Sequence, residues 1–411
     1  MANNLDEWFN EAIHFLNEDN VPEARKFLAK MKSTAPNDSR TIEIEGDCAK
    51  AEGDFDLATQ LYRKLINGSD SQAAARGNLS LGFLLMERGE RQEALKALIA
   101  AAPLLENRES PYEHMNAMSS IAALEYELGD FAQSAQTLLG VLEKYEEYEL
   151  DDDCSLIYLS CATQRGDALR SLGKLDEAQE AYQIVADITE ELEIMDEHAN
   201  ALDGIGVVHQ MRGNFKEATN FHLKSVEINE EIESIPGLCA NMANLARVYL
   251  HLEDWPVGRK YALRLLQLET DEESVEGVGF AKLLLAECDI GMKKYKEADQ
   301  TLQSLLKIFT RSGEADTYVN LISVLGQLRR LQGNLEEAER YQNESLKISL
   351  EMNNRDFLLS SYDELAEIKA AQKCYDEARD LWEQALEIAE ELKSAKMLKT
   401  IKKRLTDIAK L

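Results

Sequence analysis

The residues best suited to catalysis or metal binding are scattered along the chain. Its six histidines and six cysteines lie apart, and no histidine has a second histidine or cysteine three or four positions away, as a helical metal site needs. The cysteines form no Cys-x-x-Cys pair, so neither a thiolate zinc site nor a disulfide framework is indicated. Gly173-Lys174-Leu175 superficially resembles a phosphate loop but lacks the Ser or Thr that would hold magnesium. The sequence therefore predicts no enzyme, no cofactor and no metal site.

A second set of polar residues suits the binding of another polypeptide. Asn and Gln carry both a donor and an acceptor, so they can hydrogen-bond the main chain of an extended peptide whatever its side chains are. Counted from a recurring small residue, positions two before, one after and five after fall on one helical face, and neighbouring positions extend it. The peptide-binding candidates are Gln164, Asp167, Arg170, Asn200, Asp203, Gln210, Asn244, Arg247, His251, Glu287, Asn320, Gln327 and Arg330. Alternatively, Arg247 and Glu287 pair with each other in a ladder between repeats.

The elements that must position these residues follow from two columns of small residues, which are separated by 12 positions in every repeat. The first column is Ala12, Gly46, Gly82, Ala122, Gly166, Gly206, Ala246, Ala286, Gly326 and Ala366. The second is Ala24, Ala58, Ala94, Ser134, Ala178, Ala218, Gly258, Ala298, Ala338 and Ala378. Small residues let two antiparallel helices approach to about 8–10 Å where they cross. The columns therefore predict ten helical hairpins.

Turn residues support the same hairpins. Between the columns, a glycine that tolerates left-handed backbone precedes a polar residue that can begin the next helix, at Gly53-Asp54, Gly89-Glu90, Gly129-Asp130, Gly213-Asn214 and Gly333-Asn334. Three positions before the second column, nine of the ten residues are apolar, as an anchor of the turn requires. Turn chemistry and helix packing thus predict one repeating unit.

The order of small residue, helix stop, aromatic residue and alanine resembles the tetratricopeptide repeat over nearly all of the chain. Successive repeats are spaced by 34, 36, 40 and 44 residues and then by 40, which is similar to the forty-residue subclass of spindle-orientation adaptors, kinesin light chains and bacterial peptide-sensing regulators. The resemblance implies an all-α, right-handed α-solenoid of about ten repeats with a C-terminal capping helix. It also implies that first helices line a concave groove for ligands, where Asn244 resembles an asparagine that contacts peptide backbone.

Spacing and charge divide the chain into three segments. Residues 1–150 hold repeats one to four with irregular spacing, 151–393 hold repeats five to ten with regular spacing, and 394–411 form a basic amphipathic capping helix. The acidic run over residues 146–153 marks the seam between the first two segments. We expect a hinge there.

The charge balance limits the partners. With 76 acidic and 45 basic residues, the net charge of -31 disfavours nucleic acid and anionic membranes and favours a basic or amphipathic polypeptide. No apolar run approaches the roughly 20 residues that span a bilayer, and the amino terminus lacks a signal pattern, so a cytoplasmic protein is expected. The sequence predicts a non-enzymatic interaction scaffold, adaptor or regulatory partner. The alternatives are a sensor of a short free peptide and a structural module that self-associates through its C-terminal helix.

Overall fold

A computed structural model describes residues 2–106, 111–146, 148, 152–310, 315–352, 354–392 and 394–410. Every regular secondary-structure element among these residues is an α-helix. The helices are α1 (Ala2–Asn17), α2 (Val21–Thr34), α3 (Ser39–Ala51), α4 (Phe55–Ile66), α5 (Ser71–Glu87), α6 (Arg91–Leu105), α7 (Tyr112–Glu127), α8 (Phe131–Tyr145), α9 (Asp152–Ser171), α10 (Leu175–Glu191), α11 (Met195–Met211), α12 (Phe215–Glu231), α13 (Ile235–His251), α14 (Trp255–Asp271), α15 (Val275–Gly291), α16 (Tyr295–Leu305), α17 (Ala315–Leu331), α18 (Leu335–Met352), α19 (Arg355–Ala371), α20 (Tyr375–Glu391) and α21 (Ala395–Ile408).

The helices form the ten predicted hairpins, with every first-column residue on an odd-numbered helix and every second-column residue on the following even-numbered one. A Cβ atom added at Gly46 would lie 2.7 Å from the Tyr62 ring, and one at Gly82 would lie 2.6 Å from Leu98. Each large side chain comes 16 residues after the glycine that it contacts. At these two positions a small residue is needed because a larger one would overlap with the side chain packed from the partner helix. The predicted all-α hairpin fold is confirmed.

Each hairpin turns through one residue with left-handed backbone, five positions before the second-column residue. Glycine occupies this place in six hairpins, at Gly53, Gly89, Gly129, Gly173, Gly213 and Gly333. Gly173 therefore belongs to a turn and not to a phosphate loop. The other four hairpins use Asp19, Glu253, Lys293 and Lys373, with φ of 53° to 65°. Only the glycine turns had been predicted from the sequence.

The chain divides into two compact units, Met1–Ala181 and Tyr182–Leu411. In the first unit, successive first helices contact each other from α1 to α3, from α3 to α5 and from α7 to α9. Within the acidic run over 146–153, residues 147 and 149–151 lie outside the described residues. The hinge at this seam remains a prediction.

The second unit repeats the arrangement, with first helices in contact from α11 through α13, α15 and α17 to α19. At its end, α21 packs on α20 and buries Ile401 and Ile408 in a cluster with Trp382. Its exposed residues include Lys399, Lys402 and Lys403. A helix with one apolar and one basic face thus covers the last hairpin, as the sequence predicted.

Candidate functional site

Three of the predicted binding residues lie on α9 in the first unit, and all three contact other residues of that unit. The Gln164 amide donates to Ser119 at 2.9 Å and to Ser160 at 3.2 Å, and Arg170 donates to Asp167 at 3.1 Å. The Gln164 side-chain oxygen is buried without a hydrogen-bond partner among the described residues. Peptide binding by Gln164 therefore remains a prediction.

The first unit also holds a carboxylate pair that our candidate set omitted. On α3, Glu43 forms an ion pair with Arg76 at 2.7 Å, and Asp47 accepts a hydrogen bond from the Tyr62 hydroxyl at 2.7 Å. Burial raises the pKa of Glu43 to about 7 and that of Asp47 to about 6. Asp47 occupies the position one after Gly46, so extending the same periodic rule to α3 would have found it.

In the second unit, Asp203 on α11 joins three side chains. Its carboxylate accepts hydrogen bonds from His222 Nδ1 at 2.7 Å, Asn241 Nδ2 at 2.6 Å and Asn244 Nδ2 at 2.9 Å. His222 and Asn241 are buried. The Asn244 side-chain oxygen accepts no hydrogen bond from the described residues, so this amide keeps an acceptor and one N–H for a ligand. The two predicted residues Asp203 and Asn244 therefore lie together across α11 and α13.

The same arrangement recurs at the end of the unit, which the sequence reasoning missed. Asp363 accepts a hydrogen bond from Trp382 Nε1 at 3.0 Å and pairs with Arg404 of α21. Asp363 lies 160 positions after Asp203, as do Trp382 after His222 and Arg404 after Asn244. Since 160 residues are four repeats of 40, α21 occupies the place of a further first helix.

Next to this cluster, Arg330 is bound within the unit. It donates to both carboxylate oxygens of Glu364, at 3.0 and 3.3 Å, and lies 3.8 Å from Glu367. Glu367 in turn forms an ion pair with Arg404 at 2.7 Å. We call Arg330, Asp363, Glu364, Glu367 and Arg404 the closed patch. Its charges satisfy one another, so the predicted ligand residue Arg330 already has internal partners.

Four other predicted residues on the first helices of the second unit form no hydrogen bond or ion pair with any described residue. The Arg247 guanidinium lies 4.9 Å from the centre of the Phe280 ring, and burial lowers its pKa. Glu287, Asn320 and Gln327 are half-buried and form no hydrogen bond or ion pair among the described residues. We call Arg247, Phe280, Glu287, Asn320 and Gln327 the open patch. Within the described residues, Glu287, Asn320 and Gln327 thus have no hydrogen bond or ion pair that a partner would have to displace.

The alternative pairing of Arg247 with Glu287 is not formed within 4 Å. Burial raises the pKa of Glu287 to about 7, and attraction to Arg247 opposes this shift only in part. Buried Leu284 and Ile290 lie three residues to either side of Glu287 on α15. The carboxylate thus stands in a region of reduced hydration, with no counter-charge within 4 Å in the described part of the chain.

The remaining candidates differ in accessibility. Asn200 and His251 are exposed, and the His251 ring stacks on Phe215 with centres 5.4 Å apart. Gln210 is half-buried, and its side-chain oxygen is buried without a partner. Within the described residues, no group of histidines, cysteines and carboxylates is arranged to hold a metal ion. None of the six cysteines, all of which belong to the described residues, forms a disulfide bond.

Comparison with known proteins identifies the repeated hairpin. Residues 158–231 and 279–351 match one family model, and residues 358–392 match another, both described as tetratricopeptide repeat. These segments are tetratricopeptide repeats, and the hairpins before and between them keep the same register of small residues. The recognition made from the sequence is confirmed.

One curated relative is the outer dynein arm-docking complex subunit 4 of Xenopus laevis, which is 24% identical over 143 residues. The match covers 34% of this chain and 26% of the relative, so it spans about a quarter of that protein's length.

Two solved structures share the fold. The quorum sensor NprR from Bacillus thuringiensis in its apo form has a TM-score of 0.60 and 14% identity, over 84% of this chain and 97% of that one. Aspartyl phosphate phosphatase F from Bacillus subtilis has a TM-score of 0.57 and 13% identity, over 84% of this chain and 93% of that one. At these identities the likeness concerns the fold. Among the described helices, none has the length and apolar character needed to cross a membrane.

Proposed function

We propose that this protein is a non-enzymatic scaffold or adaptor that binds a polypeptide segment on the first-helix face of its second unit, at the open patch. The observation that carries this proposal is the contrast between two stretches of one face. Charges of the closed patch satisfy each other, whereas Glu287, Asn320 and Gln327 of the open patch have no internal hydrogen bond or ion pair in the described part of the chain. Unpaired polar groups in a poorly hydrated face gain most from a partner that supplies hydrogen bonds.

The side chains of the open patch are better suited to hydrogen-bonding the main chain of a peptide segment than to contacting a flat protein surface. The two amides of Asn320 and Gln327 offer donors and acceptors together, and Arg247 adds donors for carbonyl oxygens. Phe280 supplies an aromatic surface beside Arg247. Acidic residues outnumber basic ones in this chain. The resulting net charge of -31 favours a basic or amphipathic segment through long-range attraction. We expect binding to occur in the cytoplasm.

Selection from a displayed dodecapeptide library tests this function. The wild type should enrich a set of peptides, and the triple variant Arg247→Ala, Asn320→Ala and Gln327→Ala should bind the selected peptides at least tenfold more weakly. A matched control replaces three exposed side chains on second helices, Glu227→Ala, Lys260→Ala and Lys296→Ala. The control should bind like the wild type. Failure of the wild type to enrich any peptide, or equal loss in both triple variants, would contradict the proposal.

A second candidate function is the sensing of a short free peptide. It is favoured by the fold shared with a protein named a quorum sensor. In that case a selected peptide should change the dimensions of the protein as well as bind. Small-angle scattering with and without saturating peptide distinguishes the two functions, because a scaffold keeps its radius of gyration and a sensor does not.

Catalysis and self-association have separate tests. One protein of the same fold is named an aspartyl phosphate phosphatase, whereas we propose that this chain acts by binding. Release of phosphate from an aspartyl-phosphorylated protein faster than in buffer would contradict that view. Sedimentation across a range of protein concentrations tests association through the basic face of α21.

A further inference from the structure

Glu287 belongs to the open patch, so any role for it in binding rests on the function proposed above. Six other buried or half-buried carboxylates are described on the first helices of the second unit, and each has a partner within the chain: Glu197 with Asn200, Asp203 with Asn241, Asp289 with Arg259, Asp363 with Trp382, Glu364 with Arg330 and Glu367 with Arg404. Glu287 alone among these described carboxylates has no hydrogen bond or ion pair. Its position on the face is therefore exceptional.

The Glu287 carboxylate is accessible to a partner. The side chain is half-buried, and its oxygens are not among the described buried polar atoms that lack a hydrogen bond. Protein atoms nevertheless remove enough water to raise the pKa of the group to about 7. Arg247, whose positive charge attracts the carboxylate, lies against the Phe280 ring and forms no ion pair with Glu287 within 4 Å.

A cation is the group that such a site would receive. An ammonium or guanidinium group would form a charge-assisted hydrogen bond with the carboxylate, and the reduced hydration strengthens that bond. The alkyl part of a Lys or Arg side chain suits the apolar and aromatic surroundings. Arg247, Asn320 and Gln327 remain available for carbonyl oxygens of the same segment.

We propose that Glu287 is a specificity-determining residue of the open patch, which selects a segment carrying a Lys or Arg side chain at the position facing α15. Glu287 thus decides which segment is held, while the neighbouring amides bind main chain of any sequence.

Three pools of N-acetylated, C-amidated nonapeptides test the proposal. The central residue is Lys or Arg in the first pool, norleucine in the second and Glu in the third, and the flanking positions are drawn from uncharged residues. Each pool is passed over immobilised full-length protein, and the retained peptides are quantified by mass spectrometry. The wild type should retain the basic pool roughly tenfold more than the norleucine pool, as a charge-assisted bond of about 1.5 kcal/mol predicts.

Variants at Glu287 give the decisive comparison. Glu287→Gln should remove the preference for the basic pool, and Glu287→Lys should reverse it toward the Glu pool. Glu276→Gln, an exposed carboxylate on the same helix, serves as the control and should keep the wild-type preference. Circular dichroism verifies that each variant is folded.

The negative outcomes of this experiment distinguish failure of the proposed function from failure of the role of Glu287. If the wild type retains no pool above background, the function proposed above fails, and this inference fails with it. If the wild type retains all pools equally, or if Glu287→Gln keeps the preference for the basic pool, the role of Glu287 is wrong while polypeptide binding stands.

Discussion

The open and closed patches of the second unit share one scaffold and differ in how their charges are satisfied. Both lie on first helices of forty-residue repeats, except that Arg404 of the closed patch lies on α21, which occupies the place of a further first helix. In the closed patch, Arg330 and Arg404 each contact carboxylates of α19. In the open patch, Arg247 lies over an aromatic ring, and Glu287 has no ion pair with any residue that the structure describes. The same helical face can therefore use its charges to hold neighbouring helices together or leave them for a partner.

The largest effect is expected in the closed patch, from Asp363→Ala. This change removes the acceptor of the Trp382 N–H and the partner of Arg404, so a buried donor and a charge lose their counterparts. We expect a loss of about 3 kcal/mol in stability, with faster amide hydrogen exchange in α19, α20 and α21. Exchange rates unchanged from the wild type would show that α21 is held by its apolar face alone.

A substitution at Glu287 in the open patch should instead increase the stability of the protein. Because burial raises the pKa of Glu287 to about 7, the charged form is disfavoured in the folded protein. The contribution of this group to stability is fully present below about pH 4.5 and is lost as pH rises through 7. Glu287→Gln should therefore stabilise the protein by about 1–2 kcal/mol at pH 8 and by nothing measurable at pH 4. Urea unfolding at both pH values measures this, and destabilisation at pH 8 would indicate a hidden favourable partner.

Substitutions at two hairpin turns of the second unit give the smallest expected effect on stability. Repeat seven turns through Glu253 with φ of 58°, whereas repeat nine turns through Gly333 with φ of 83°. Glu253→Gly should stabilise the protein by about 0.5–1 kcal/mol, because glycine adopts left-handed backbone without the Cβ clash, and Gly333→Ala should destabilise it by about 1 kcal/mol. Thermal unfolding of both variants checks the signs. Equal signs would mean that the turn backbone does not control these changes.

The hairpins could be predicted because their signals are local. Each repeat has a small residue at the helix crossing, and in most repeats a glycine lies five positions before the second-column residue. The turns at Glu253, Lys293 and Lys373 carried no such signal, because left-handed backbone costs a non-glycine residue only about 1–2 kcal/mol and the packed helices on either side can impose it.

The candidate residues could be placed on one face, but their partners could not be assigned. Asn244 donates to Asp203 from 41 positions away, and Arg404 reaches Asp363 at the same separation. Which side chain reaches across two helices depends on rotamers and neighbouring volumes that periodicity does not encode. Arg330 and Arg247 appeared equivalent as binding candidates, although the structure gives only Arg330 a carboxylate partner within 4 Å among the described residues.

The central claim is that a polypeptide binds the open patch and not the closed one. The most direct measurement is the calorimetric affinity of one peptide selected on the wild type, for the triple variant Arg247→Ala, Asn320→Ala and Gln327→Ala and for the closed-patch variant Arg330→Ala. We predict at least a tenfold loss of affinity in the triple variant and less than a twofold change in Arg330→Ala. A tenfold loss in Arg330→Ala, with the triple variant binding like the wild type, would contradict the claim.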